Sequence, residues 1–424
     1  QMRVAAGREN DAFEDVIPVR VLVSPETVAA YGEADPTATE TLRPPANVVP
    51  GFGGLRVDVA STQLVGLAEG ARYLVTYPYG CAEQRASATL AVMLVSDLGD
   101  AFDLPGIETG KTSDAARTNL RLLERYQCGD GGFAFWPGNC VTTSPYLTSY
   151  IVHVYQRAKN LGYAVDEDML RRAYEYLERH LGQERPPNEA WWPAFTSWQA
   201  FAVKVLAEGG RNADSHINRL YGYVDRMPVF GISFLADAMI ASGKKDTRLE
   251  DLFRRMRNSI LPEGGSAHVE ELSDPYLLWF WNSNVRSTAI VLGTFVRHGE
   301  DEELVKRMVR WLMTVREEGR WGNTQENAWA MGSLVDYYRR YESQVPDFTA
   351  VVRVADETVL RDEFRGRSTE VTSRALPVPS GPTVPVTFER DGAGTATVSG
   401  DTIKIDGSST VFPISQAVAE EFQA

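Results

Sequence analysis

Tyr77-Pro78-Tyr79-Gly80-Cys81-Ala82-Glu83-Gln84 is the stretch around which the rest of the chain is organised. Tyr-Pro-Tyr-Gly reads as a turn: Pro78 fixes its own φ and biases Tyr77 toward extended geometry, and Gly80 tolerates positive φ. Cys81 then opens an apolar-periodic run through Leu90, Met93, Leu94 and Leu98, spaced like one face of a helix. Residues three apart at a helix start are neighbours, so the Cys81 sulfur can lie against the Gln84 side-chain carbonyl. A thiolate attacking that carboxamide expels ammonia and closes an internal thioester, a stored acylating agent. The Cys-x-x-Gln spacing by itself is equally met by a small half-buried cysteine and an ordinary helical glutamine.

The wider context separates these readings. Pro78-Tyr79-Gly80-Cys81-Ala82-Glu83-Gln84 resembles the Pro-Tyr-Gly-Cys-(Gly, Leu or Ala)-Glu-Gln signature of the alpha-2-macroglobulin and complement superfamily, most closely its bacterial members. The resemblance covers roughly Arg8 to Gly394. It implies a Cys81–Gln84 thioester within an α/α toroid, flanked by the two halves of a CUB-like β-sandwich. It also implies that the aromatic at Tyr77 shields the bond; Tyr79, equally close to Cys81, is a second candidate for that cover. The packing of a turn accounts for both tyrosines as well.

Composition sets bounds on partners. The chain has 424 residues, 43% hydrophobic and 24% charged, enough for more than one domain with a sizeable core. A net charge of −14 argues against nucleic acid or an anionic membrane surface as partner. No stretch approaches the ~20 apolar residues of a membrane span. Gln1 is not preceded by a signal peptide, so the sequence reads as a piece of a longer protein, with any membrane anchor outside it.

Three cysteines are present. Cys128 and Cys140 bracket the Gly-rich run Gly129–Asn139, which is expected to be stapled by a disulfide, leaving Cys81 as the odd cysteine. A disulfide places the chain in an oxidising compartment, a periplasm or the exterior. Two free buried cysteines are the alternative.

The expected architecture is mixed and mainly α: a toroid of six inner and about six outer helices inserted into a β-sandwich. Residues 1–58 read as the first half of the sandwich with its lead-in, with strands at Val16–Val23 and Leu55–Val59 and a Pro/Glu/Thr-rich connection between them through Pro44, Pro45 and Pro50. Residues 59–345 read as the toroid. Six apolar helices start near Gln84, Tyr146, Phe195, Ile232, Val285 and Asn327, alternating with amphipathic partners such as Asp114–Tyr126, Glu167–His180 and Asp301–Glu317. Residues 346–398 read as the second half of the sandwich, with strands at Thr349–Val354, Glu357–Phe364, Ser368–Ala375 and Thr383–Phe388. Residues 399–424 resemble the first strand, phosphate loop and helix of a periplasmic phosphate-binding protein, around Ser408-Ser409-Thr410. That piece is too short to bind phosphate alone.

The function implied is that of a broad-spectrum endopeptidase inhibitor that tethers its attacker through thioester acylation of surface lysines. It is single-use chemistry rather than enzymatic turnover, with no cofactor and no metal. The setting is periplasmic or extracellular, with a lipoprotein anchor belonging to the full-length protein. In the complement branch a histidine assists transfer to hydroxyls; Phe133–Tyr146 contains none, and His153 reads as a core residue inside an apolar helix. His180, His216, His268 and His298 have no metal-like spacing. Trp136, Trp191, Trp192, Trp198, Trp281 and Trp329 suggest a carbohydrate site or core and rim packing; the alternative of a carbohydrate- or terpenoid-active toroid enzyme requires acidic pairs or an Asp-rich motif facing the toroid axis, and the sequence shows neither. The tail raises a third reading, a phosphate-binding transport protein.

Overall fold

The computed structural model describes residues 2–6, 9–13, 25–26, 29–44, 53–65, 67–77, 79–99, 109–183, 189–263, 265–271, 274–401 and 405–406. The expected strand Val16–Val23, Pro78 of the central motif and the Ser408–Thr410 loop lie outside these. The N-terminal strands are β1 (Met2–Ala6), β2 (Glu9–Phe13), β3 (Pro25–Glu26), β4 (Ala29–Glu33), β5 (Thr37–Leu42) and β6 (Leu55–Ala60). The helical block runs α1 (Leu67–Thr76), α2 (Ala82–Gly99), α3 (Thr109–Glu124), α4 (Pro145–Asn160), α5 (Glu167–Leu181), α6 (Trp192–Glu208), α7 (Asp214–Tyr221), α8 (Val229–Ala241) and α9 (Thr247–Asn258). A hairpin of β7 (Ile260–Glu263) and β8 (Ser266–Val269) precedes α10 (Asn284–His298), α11 (Glu302–Thr314) and α12 (Thr324–Tyr341). The chain returns to strands in β9 (Asp347–Val354), β10 (Glu357–Arg365), β11 (Val371–Leu376), β12 (Val384–Ala393), β13 (Thr397–Asp401) and β14 (Ile405–Asp406).

The even-numbered helices α2, α4, α6, α8, α10 and α12 pack neighbour to neighbour, and α12 closes the ring against α2. Their sequences explain the position. In α8, every residue from Val229 to Met239 is buried, because Val-Phe-Gly-Ile-Ser-Phe-Leu offers no polar face to solvent. The odd-numbered helices are amphipathic and cover the ring from outside. α5 buries Met169, Leu170, Ala173, Tyr176, Leu177 and Leu181, while Arg171 on its outer face pairs with Asp168 and Glu175. Asp166, Asp246 and Asp301 cap outer helices; Ser144, Ser283 and Asn323 cap inner ones, each side chain accepting from an otherwise unpaired amide. The architecture is therefore an α/α toroid of six inner and six outer helices among the described residues.

Strands from either side of the toroid pair with each other. One antiparallel sheet has the order β10-β9-β12-β5, the other β11-β6-β13-β4. Val384 of β12 faces Leu42 of β5, and Val59 of β6 lies between Thr372 and Val398. Leu55, Val57, Val59 and Val398 on one sheet meet Phe348, Ala350, Val352, Val386 and Phe388 on the other, a separate small core. The toroid leaves this sandwich after β6 and returns to it at β9.

Two expectations need correction. The Thr37–Leu42 part of the supposed connection is a strand, β5, and Ala29–Glu33 is another. β5 is an edge strand whose residues are half-buried or exposed, so it lacks the apolar alternation that marks a strand in sequence. β13 also carries the sandwich to Asp401, three residues past the boundary expected at 398, pairing with both β4 and β6. Beyond it, β14 pairs with β3.

Candidate functional site

The toroid places Cys81 at the start of an inner helix, in the N-cap position of α2. Three residues on, the Gln84 side chain turns back, and its Oε1 accepts the Cys81 backbone N–H at 3.1 Å. This is a capping box with cysteine where serine or threonine usually stands. The second half of that motif directs the cap side chain toward the amides of the first turn, and the backbone amides of Glu83 and Gln84 act on the Cys81 sulfur. A capping box thus brings sulfur and carboxamide to the same turn. Cys81 is the one free cysteine among the described residues and is half-buried. Burial pushes its thiol up from the ordinary value, against the pull of those two amides.

The preceding turn is tied down from behind. The Gly80 carbonyl accepts from Tyr126 Oη at 2.7 Å and from Arg85 Nε at 3.2 Å, and Arg85 Nε also reaches Tyr126 Oη at 2.8 Å. A Cβ at Gly80 would stand 3.0 Å from the Arg85 guanidinium, so the residue type fits the close approach. Tyr77 packs edge-on between Tyr73 and Tyr79, with ring centroids 5.4 and 5.8 Å away. Tyr79 is 66% exposed.

Cys128 and Cys140 are bonded to each other. The loop they close reaches the site: the Ala82 amide donates to the Phe135 carbonyl at 2.9 Å. Gly131, at φ 89, and Gly132, where a Cβ would collide with the Tyr176 ring at 2.4 Å, let this loop lie on α5. Phe135 and the half-exposed Trp136 then line a pocket together with Cys81.

Together Tyr77, Tyr79, Cys81, Glu83, Gln84, Phe135, Trp136, Trp281, Asn323 and Thr324 line a pocket of about 360 Å³. The segments leading into α2, α4, α10 and α12 therefore converge at one end of the ring. Glu83 forms the buried side of the pocket. Its carboxylate accepts from Ser87 Oγ (2.8 Å), Thr324 Oγ1 (2.9 Å) and Gln325 Nε2 (2.8 Å). Gln325 Oε1 accepts from Tyr146 Oη (3.2 Å) and Trp329 Nε1 (3.1 Å), and Tyr146 Oη accepts from Arg286 Nη2 (2.7 Å). Arg286 is fully buried, with Phe230 under its guanidinium at 4.6 Å. Burial pushes the Glu83 carboxyl up; the hydrogen bonds and the Arg286 charge act the other way.

The sequence singled out Tyr77, Tyr79, Gly80, Cys81, Glu83 and Gln84, and all of them stand at this end of the toroid. Trp281, Asn323, Thr324, Gln325 and Arg286 join them from more than 190 residues away and had no assigned place in the site. His153 does not line the pocket. It is buried on α4, stacked on Trp329 at 4.8 Å, and burial together with Lys204, Arg157 and Arg297 holds its imidazole well below the usual range. Of the six tryptophans noted, Trp192, Trp198 and Trp329 are buried, and Trp136 and Trp281 border the pocket. Among the described residues no group of three or more His, Cys, Asp or Glu could hold a metal, and no helix is long and apolar enough to cross a membrane.

Residues 55–184 match the family model of the A-macroglobulin TED domain. The alpha-2-macroglobulin homolog of Nostoc sp. is 23% identical over 400 residues, which cover 91% of this chain and 20% of that protein. The alpha-2-macroglobulin of Xylella fastidiosa is 26% identical over 291 residues, 66% of this chain and 17% of that protein. Among solved structures, native Escherichia coli alpha-2-macroglobulin spanning domain MG7 to the C-terminus superposes with a TM-score of 0.61 at 19% identity, covering 92% of this chain and 58% of that one. Salmonella alpha-2-macroglobulin reacted with methylamine gives 0.60 at 19% identity, covering 91% and 24%. The chain is alpha-2-macroglobulin-like, of the bacterial kind, and its toroid is that family's TED fold. It spans about a fifth of the length of the curated relatives it matches.

Proposed function

We propose that this chain is the acylating part of a broad-spectrum endopeptidase inhibitor, in which a Cys81–Gln84 thioester tethers the attacking protease through a lysine amine. The observation that carries the reading is the capping box at the start of α2, with Gln84 folded onto Cys81 beneath an aromatic-lined pocket. The 3.1 Å bond from the Cys81 amide to Gln84 Oε1 has a chemical consequence. Attack on the Gln84 carbonyl carbon builds negative charge on that oxygen, and a backbone N–H at a helix N-terminus is positioned to receive it. The amine nitrogen adds, the carbon–sulfur bond breaks, and Cys81 leaves as a thiolate that takes up the proton shed by the new amide.

Tyr77 and Tyr79 act as the cover that keeps water from the bond, with Gly80 setting their approach. Residues 59–345 act as one domain and the flanking strands as its CUB-like support; the Cys128–Cys140 bond suits a periplasmic or extracellular setting. The names of the matched relatives and their TED domain support the inhibitor class. The test is methylamine treatment followed by iodoacetamide labelling. Cys81 becomes alkylatable only after methylamine has added to Gln84. Full labelling of Cys81 in untreated native protein contradicts the proposal.

A further inference from the structure

The pocket that Cys81 lines is rich in aromatic rings. Five of its ten described lining residues are aromatic: Tyr77, Tyr79, Phe135, Trp136 and Trp281. The rings do not stack into a slab. Tyr77 and Tyr79 stand edge-on at 63°, and Phe135 and Trp281 are tilted by 47°, so they meet at angles as the walls of a box do. Tyr79 and Trp136 are 66% and 53% exposed, leaving the box open to an incoming side chain.

Charge follows the same direction. Among the described lining residues there is no lysine, arginine or histidine, and Glu83 is the one carboxylate. The helix N-termini that converge here would oppose a cation, but side chains already occupy several of their amides. Ser144, Ser283 and Asn323 accept the Leu147, Arg286 and Glu326 amides at 3.3, 3.1 and 3.0 Å. The cations packed nearby are engaged elsewhere: Arg286 with Tyr146 and Phe230, and Arg320 over the Tyr73 ring at 4.7 Å. A partly closed aromatic box with no competing cation is the environment that binds alkylammonium groups through the negative faces of its rings.

We propose that this box is an alkylammonium-binding site that captures the charged end of a lysine side chain beside the Gln84 carbonyl, before any covalent step. The assignment of lysine as cargo rests on the acylation reading above; the cation site itself does not. Capture concerns the protonated amine. The bound ammonium then releases its proton to solvent, and the free amine attacks as already balanced. The box raises the local concentration of amines over hydroxyls by recognising their charge, which a hydroxyl lacks.

Tetramethylammonium tests this directly, because it carries the charge and cannot be acylated. Its methyl protons should show saturation transfer from the Cys81→Ala protein, in which no thioester can form. Trp136→Ala, at a half-exposed position, should weaken that binding by roughly two- to thirtyfold, the span of one cation–π contact. Tyr79→Ala serves as a second variant. In the unsubstituted protein, tetramethylammonium chloride should slow methylamine incorporation more than sodium chloride at equal ionic strength. Absence of saturation transfer, or binding unchanged in both Trp136→Ala and Tyr79→Ala, overturns the proposal. If the thioester reading alone fails, methylamine is not incorporated at all, while the Cys81→Ala titration still reports the cation site.

Discussion

Replacing Glu342 with glutamine should flatten the pH dependence of stability between about pH 4.5 and 7. Glu342 caps the end of α12 where the toroid returns to the sandwich, and it is 4% exposed. Its carboxylate accepts from Thr62 Oγ1 at 2.6 Å and from the Gln63 amide at 2.9 Å. Glu33, at the end of β4, adds a second negative charge nearby, held by Lys306 at 2.8 Å. Burial and Glu33 push the Glu342 carboxyl up to about 7, against the two hydrogen bonds and Lys306. In the unfolded chain the same group titrates at the ordinary glutamate value. Below that value the carboxyl is neutral in both states and costs nothing. As pH rises toward 7 the unfolded chain ionises freely and the folded chain does not, so stability falls and then levels off. The upper limit of this loss is about 3 kcal/mol. Urea midpoints at pH 5, 6, 7 and 8, taken as wild type minus Glu342→Gln, isolate the group from all others that titrate in the window. The variant should gain on wild type as pH rises. A difference that stays constant from pH 5 to 8 refutes the reasoning.

Three further outcomes follow from the site. Glu83→Ala leaves the buried donors of Ser87, Thr324 and Gln325 without their acceptor, so urea unfolding should show a loss of about 3 to 5 kcal/mol; a loss under about 1 kcal/mol would mean the network carries no weight. Reducing Cys128–Cys140 removes a short-loop constraint worth roughly 3 kcal/mol and frees Phe135 from Ala82, so methylamine should react faster at mild reductant before circular dichroism shows any loss of helix. Amines should outcompete glycerol, because among the described residues no histidine lines the pocket to take a hydroxyl proton, and the amine rate should climb from pH 7 to about 9. Equal glycerol incorporation at pH 7 contradicts that.

The inner helices were legible because runs such as Val229–Met239 and Ala200–Val203 are apolar on nearly every side, a pattern that has no place on a surface. Their outer partners were legible from amphipathic spacing, as in Glu167–His180, which is α5 to within a residue. The edge strand β5 was not, since Thr37–Leu42 buries too little to show a pattern. The half of the pocket on α2 lay in one contiguous motif. The other half did not, because Asn323 and Thr324 reach Cys81 only through closure of the ring between α12 and α2. One signal was available. Glu83 and Arg286 are charges near the starts of helices otherwise made for burial, and charges so placed are held by partners. Reading them as a linked pair would have brought α10 to the site from sequence alone.

Intact mass of the native protein tests the central claim most directly. Closure of a Cys81–Gln84 thioester expels ammonia, so the chain should be lighter than its sequence by the mass of one ammonia, and methylamine should then add one methylamine to that lighter mass. Cys81→Ala should show neither change. A native mass equal to that of the sequence with Cys128–Cys140 oxidised, and unaltered by methylamine, would contradict the account.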